Sequence, residues 1–164
     1  MDAAPKFSIR PISETDRDWI DAFYPERWGS GRVVTRGQLY KVAELPGFIA
    51  WSANTRAGLL TYHLSGRELE IVTLDSLEPG QGAGRALLAE AIRFARAKKC
   101  LRMWLITTND NTAALRFYQK TGFQLVRIHR NALQASRRLK PEIPLVGVDG
   151  IPIRDEIELE YPLT

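Results

Sequence analysis

The chain has little of what would commit it to several kinds of chemistry. It carries one cysteine, Cys100, in 164 residues, which excludes an internal disulfide. Its two histidines, His63 and His129, sit on separate apolar runs, and no Cys/His grouping has metal-site spacing, so no metal is expected. No apolar run approaches the ~20 residues of a membrane-spanning helix. The opening MDAAPKFSIR lacks a basic segment followed by an apolar core, so no secretory signal is expected. The reducing cytoplasm is the expected compartment. An excess of one charge is also lacking: 23 Lys and Arg face 19 Asp and Glu, a net charge of +4 spread along the chain. That spread is unlike the clustered footprint of a nucleic-acid binder. The densest basic patch, RRLK from Arg137 to Lys140, reads as a solvated helix face. A small anionic ligand suits this charge at least as well as a polymer does.

What is present is ordinary globular material, 45% hydrophobic and 26% charged. The length suits one domain over residues 1–164. Phe7 to Ile12 alternates like a strand. Ser13 then offers an N-cap to a helix carrying Trp19, Ile20 and Phe23 at helical spacing, expected to end before Pro25. The glycine-broken RWGSGRVVTRG reads as a loop and Gln38 to Glu44 as a short helix. GFIAWSA and AGLLTYHLSG, separated by NTR, read as a hairpin, and ELEIVTLDSL as a third strand. A helix is expected from about Gly84 to Lys99. The strand CLRMWLITT follows, then a helix between a cap at Asn109, Asp110 or Asn111 and a stop at Gly122. FQLVRIH reads as a strand, NALQASRRLK as a short helix and RDEIELEYPL as a final strand. The order, β-α-α-β-β-β-α-β-α-β-(α)-β, implies an α/β fold with a mixed sheet and helices on both faces.

One stretch asks for more than packing. SLEPGQGAGRALL places Gly80, Gly82 and Gly84 where a strand gives way to a helix. A helix start exposes unpaired N–H groups and a positive dipole end, which favour an anion. No acidic residue lies between Gly80 and Leu88 to compete with one, and Arg85 adds positive charge. Two nucleotide fingerprints fail here. No Lys-Ser/Thr follows the glycines, and the third glycine of G-x-G-x-x-G would fall at Arg85. Taken alone, the glycines fit tight strand-to-helix packing as well as ligand binding.

Downstream, NTAALRFYQKTGF puts Asn111, Ala114 and Tyr118 on one side of a second helix. Together the two stretches resemble the GNAT superfamily of acyl-CoA-dependent N-acetyltransferases. The phosphate-loop pattern, Arg or Gln, two residues, Gly, one residue, then Gly or Ala, runs over Pro79 to Gly84, with Pro79 where the family has Arg or Gln. The second pattern matches at Asn111, Ala114, Tyr118, Lys120, Gly122 and Phe123. The resemblance implies a mostly antiparallel sheet of about seven strands, splayed between its fourth and fifth. It implies acetyl-CoA as co-substrate, with main-chain groups of Leu74 and Ser76 pairing with the pantetheine arm. N–H groups from Gln81 through Gly82, Ala83, Gly84 and Arg85 to Ala86 would hold the pyrophosphate. Asn111 would bond the pantetheine region, with Ala114 and Phe117 packing on it.

The implied reaction is direct attack of a neutral amine on the thioester. A lysine-like amine, with a pKa near 10.4, must first lose a proton, and the leaving thiolate, near 8.5 by analogy with cysteine, benefits from a donor. Tyr118 matches the family position for that acid; otherwise it is a buried aromatic. Glu70 is the candidate base, sharing a strand face with Glu68; a solvent-facing pair is the plainer reading. Asp75 is another possibility, expected in a turn. The expected partner is a small-molecule or peptide amine, its pocket walled by YPERWGSGRVV and the segment from His129 to Glu156. Trp28, Tyr24 and Asp155 or Glu156 are candidates for contacting that amine. No nucleic acid or membrane partner is expected, and the His129–Glu156 segment equally suits a homodimer contact. The alternative is a catalytically inactive acyl-CoA-binding domain of the same fold.

Overall fold

The computed structural model describes residues 4–164. The chain opens with strand β1 (Ser8–Pro11) and helix α1 (Glu14–Trp28), whose entry is fixed by the Ser13 amide donating to Asp16 Oδ2 at 2.9 Å. The helix runs past Pro25, where the sequence suggested a stop. Gly29 takes a left-handed φ of 76° and returns its N–H to the Pro25 carbonyl at 2.7 Å, closing a last turn that the proline alone does not break. That extra turn carries Arg27 and Trp28.

Next comes a hairpin where a loop and short helix were expected. β2 (Arg32–Thr35) pairs antiparallel with β3 (Gln38–Lys41) around Arg36 and Gly37, whose φ values are 47° and 75°. Two positive φ values give the mirror-image turn that suits strand twist. Only a short 3₁₀ turn, Val42–Glu44, remains of the expected helix.

The main sheet then builds from β4 (Gly47–Ser52), β5 (Thr55–Ser65) and β6 (Glu68–Ser76). Helix α2 (Ala83–Ala97) crosses to β7 (Arg102–Thr108). Helix α3 (Thr112–Lys120), β8 (Gln124–His129), helix α4 (Ala132–Leu139) and β9 (Glu156–Tyr161) complete the chain. The seven strands lie in the order β1-β4-β5-β6-β7-β9-β8. β6 and β7, fourth and fifth in that order, form the one parallel pair; their neighbours are antiparallel.

Two apolar layers hold the sheet. Leu87, Leu88, Ala91 and Ala95 of α2, at helical spacing, bury against Leu60, Leu69, Ile71 and Met103, with Tyr118 and Phe123 joining from the α3 side. On the other face Ile20 and Tyr24 of α1 pack on Ile49 and Leu59. Each fully buried Leu or Ile contributes about 1.5–3 kcal/mol relative to exposure.

Two irregularities of β6 set up the site. Its pairing with β7 runs from Glu68↔Arg102 to Ile71↔Leu105 and stops, although both strands continue. The two therefore part, leaving the outer edge of β6 from Val72 to Ser76 without a strand partner. Against β5 the register slips: Thr61 faces Thr73 but Tyr62 faces Ile71, so Val72 is an extra residue. The bulge reverses the alternation of side chains. Leu69 and Ile71 face α2, Glu70 and Val72 face the hairpin, and beyond the bulge Leu74 returns to the α2 side while Asp75 faces α1.

Candidate active site

Two cavities of about 580 Å³ each flank the parting strands. The first lies on the α2 and α3 side. Leu74, Ser76, Pro79, Gly82, Ala114 and Phe117 are among the residues that line it, and Tyr118 closes its inner end. Gly80 and Gly82 adopt φ values of 81° and 95°, a backbone that aims successive amides at one side of the loop. No acid occupies the first turn of α2. The N–H groups of Gln81, Gly82, Ala83, Gly84 and Arg85 make no turn or cap hydrogen bond, whereas Ala86 N–H closes the first turn on the Gly82 carbonyl at 3.1 Å. The free run ends at Arg85, so Ala86 leaves the expected cradle. A Cβ at Gly84 would stand 3.3 Å from Phe117 Cζ, tight enough to push that ring. The residues present fit an elongated ligand with a pyrophosphate: free amides at a helix start, an open strand edge and an apolar bed.

Pro79 lacks both an N–H and the expected cation. A lysine stands nearby instead. Lys6 Nζ donates to the Gln81 carbonyl at 3.2 Å and to Gln81 Oε1 at 2.6 Å, bringing a positive charge to the loop from β1's leading residues.

The second cavity lies on the α1 and hairpin side, walled by Tyr24, Trp28, Val33 and Val34 and, opposite them, by Leu133, Ile143, Val148 and Ile153. The two segments expected to build an acceptor pocket thus meet across it. Asn111 lies here, not in the first cavity. Its Oδ1 caps α3 by accepting the Ala114 N–H at 3.2 Å. Asp155 and Glu156 line neither cavity. Asp155 accepts the Asn131 N–H at 2.9 Å and pairs with Arg154, and Glu156 accepts the Arg36 N–H at 3.0 Å and the Ser136 hydroxyl at 3.2 Å.

Three polar side chains gather at the seam where the strands part, Tyr118, Tyr24 and Asp75, the last of which lines neither cavity. Tyr118 lines the first cavity and Tyr24 the second, and the charge of Asp75 reaches both. Asp75 is 3% exposed. It sits on the strand, not in the expected turn, and its Oδ1 accepts Trp28 Nε1–H at 2.7 Å and Arg27 Nε–H at 3.2 Å. Among the described residues neither its Oδ2 nor either phenol hydroxyl finds a hydrogen-bond partner. Among the described residues Arg56 Nε is the one enclosed side-chain polar atom without a partner, so these three retain access to open space. Burial pushes the Asp75 carboxyl above its ordinary value, with Trp28 and Arg27 pulling part of that back. Burial, then the Asp75 charge, pushes the Tyr118 phenol far above its usual range. Tyr24 is raised by burial and by the same carboxylate.

Glu70 takes no part in this group. It is buried, with Thr35 Oγ1–H donating to Oε1 and Tyr40 O–H donating to Oε2 at 2.9 Å; neither donor lines a cavity. Burial raises its carboxyl as well, offset in part by those hydroxyls, while the charge of nearby Glu156 adds to the rise. The expected exposed pair is split, Glu68 outside and Glu70 beneath the hairpin.

The family model for the acetyltransferase (GNAT) family matches residues 15–123. The chain belongs to the GNAT acetyltransferase family. This GNAT protein is 40% identical over 153 residues to YxbD of Bacillus subtilis (strain 168), covering 93% of this chain and 96% of that one. It is 40% identical over 150 residues to YdhI of the same organism, covering 91% and 94%. Among solved structures its fold is similar to a Bacillus subtilis acetyltransferase in complex with CoA (TM-score 0.70, 20% identity, 97% of this chain and 100% of that one). It is equally similar to a GNAT family acetyltransferase from Elizabethkingia anophelis with acetyl-CoA bound (TM-score 0.70, 20% identity, 96% and 98%). Among the described residues no group of His, Cys, Asp and Glu is placed to hold a metal, and no helix is long and apolar enough to cross a membrane.

Proposed function

We propose that this GNAT protein, acting as one domain in the reducing cytoplasm, transfers an acetyl group from acetyl-CoA to a primary amine by direct attack. One observation carries the reading: the sheet parts between two cavities, Tyr118 lines one and Tyr24 the other, and the buried carboxylate of Asp75 lies close enough for its charge to act on both phenols. Acetyl-CoA in the first cavity supplies the thioester carbonyl. The amides of Gln81 to Arg85 hold its pyrophosphate, the free edge at Leu74 and Ser76 pairs with the pantetheine arm, and Ala114 and Phe117 pack on it.

Asp75 takes the proton that the acceptor's ammonium must lose, a task its raised pKa favours. The amine nitrogen then bonds to the carbonyl carbon, the carbon–sulfur bond breaks, Tyr118 gives its proton to the departing thiolate, and the second proton lost by the acylated nitrogen restores the Tyr118 phenol. The two groups work in sequence. Ionised Asp75 is one reason Tyr118 is a weak acid, so protonating Asp75 makes Tyr118 a better donor. Glu70, the base suggested by the sequence pattern, is assigned to holding the hairpin through Thr35 and Tyr40.

Release of free CoA with a panel of amines tests the reaction, and Tyr118→Phe tests the acid. The variant should lower kcat about 10²-fold with acetyl-CoA affinity near wild type. Stabilisation by acetyl-CoA without turnover on any amine would replace the enzyme by a binding domain.

A further inference from the structure

The chemistry of the second cavity narrows the acceptor. At about 580 Å³ it falls within the range of small-molecule sites. Its long walls are aliphatic: Val33 and Val34 on one side, Ile143, Val148 and Ile153 on the other. Trp28 and Val148 stand at the rim 54% and 53% exposed, apolar surface that a bound molecule would cover.

The charged groups along the same walls are already engaged. Arg137 donates to the carbonyls of Ile143 at 3.2 Å, Pro144 at 2.7 Å and Ile153 at 2.7 Å, pinning the segment between α4 and β9. Lys140 Nζ ties that segment to the Arg32 carbonyl at 2.8 Å, and Arg32 pairs with Glu142 at 2.7 Å. Asp110 accepts the Thr108 hydroxyl and, at 3.2 Å, the Val148 N–H; a Cβ on Gly147 would stand 2.0 Å from its Oδ2, so the carboxylate is wedged against the segment's backbone. The wall is therefore preformed. Behind the wall stands Asp75, whose Oδ1 holds Trp28 and whose charge acts on Tyr24, both of them lining residues.

We infer that the acceptor is a small primary amine carried on an apolar body, alkyl or aryl, with its nitrogen at the seam and its body along the Val33–Ile143 walls. The inference rests on the acetyl-transfer reading above. A polyamine or a polar amino acid would bury further charged groups along walls that are mainly aliphatic, where the lining carboxylates of Asp110 and Glu142 are already engaged.

The test measures CoA release at saturating acetyl-CoA for amines from n-propyl to n-hexyl and for 2-phenylethylamine, against spermidine, lysine and a peptide with a free N-terminus. We expect kcat/KM to rise about fourfold per added methylene until the cavity is filled. Val148→Ser should lower the value for hexylamine about fivefold and that for propylamine by less, flattening the series, while acetyl-CoA affinity holds. A flat series, or a higher kcat/KM for spermidine, lysine or the peptide, overturns the inference while leaving acetyl transfer standing. If no amine releases CoA, the transfer reading itself fails. Calorimetry of the same amines on the CoA-loaded protein then decides the pocket: hexylamine binding tighter than propylamine supports it, and equal binding refutes it.

Discussion

Replacing Asp75 with asparagine removes one buried charge while keeping an oxygen where Trp28 and Arg27 donate, at 2.7 and 3.2 Å. Loss of a general base of this kind should lower kcat/KM by about 10²–10³-fold, or about 3–4 kcal/mol of barrier. Stability should scarcely fall. The lost partner, Arg27, has a side chain 36% exposed, so the pair contributes about 0–1 kcal/mol. Against that stands relief of the desolvation that raises the wild-type carboxyl. The net change at neutral pH should stay within about 1 kcal/mol, or about 2–4 °C in Tm for a chain of this size. The sign with pH is opposite to that of a salt-bridged acid. Folded Asp75 holds its proton to higher pH than the unfolded chain does. Its contribution is therefore most favourable below the ordinary carboxylate value and declines as pH rises through the raised folded one. The variant lacks that decline and should gain on wild type in melts run from pH 5 to pH 8. CoA release and paired melting curves check both halves. A kcat/KM within threefold of wild type, or a variant that melts more than about 6 °C lower at pH 8, would refute the base assignment.

Gly82→Glu combines a strained φ of 95° with a negative charge at the start of α2, and should weaken CoA binding about tenfold or more in calorimetry. Lys6→Ala should raise the Kd for CoA about two- to fivefold at low salt and by less at high salt, because an exposed charge is screened. Glu70→Gln should leave kcat within threefold of wild type, since both Glu70 oxygens are already bonded to the hairpin; a 10²-fold loss would restore Glu70 as the base.

The sequence made some of this visible because the signals were local. The apolar spacing of Leu87, Leu88, Ala91 and Ala95 places α2, and the absence of acid before Leu88 marks its open start. Tyr118, at a fixed interval after Asn111, marks the cavity's inner end. What stayed hidden depends on contacts between distant segments. Arg36 in a left-handed turn gives no composition signal for a hairpin, and Pro25 masked an added helical turn that only Gly29, three residues past Glu26, betrays. Asp75 was read as a turn residue because its two donors come from that added turn, nearly fifty positions earlier in the chain.

Strict alternation along β6 would have set Glu70, Leu74 and Ser76 on one face and Asp75 on the other with Ile71. Val72 upsets that count, and with it the division of labour between the two sides of the sheet. In a strand of this length the arrangement of base and cofactor edge thus depends on the two-for-one match at Val72 and not on that residue's chemistry. Removing Val72 would leave a regular strand in which Ile71 and Leu74 still face α2 and Asp75 still faces α1. The faces would exchange only in a strand that kept every residue and lost the bulge, so homologues can shed this one position and still handle proton and acetyl group on the same sides.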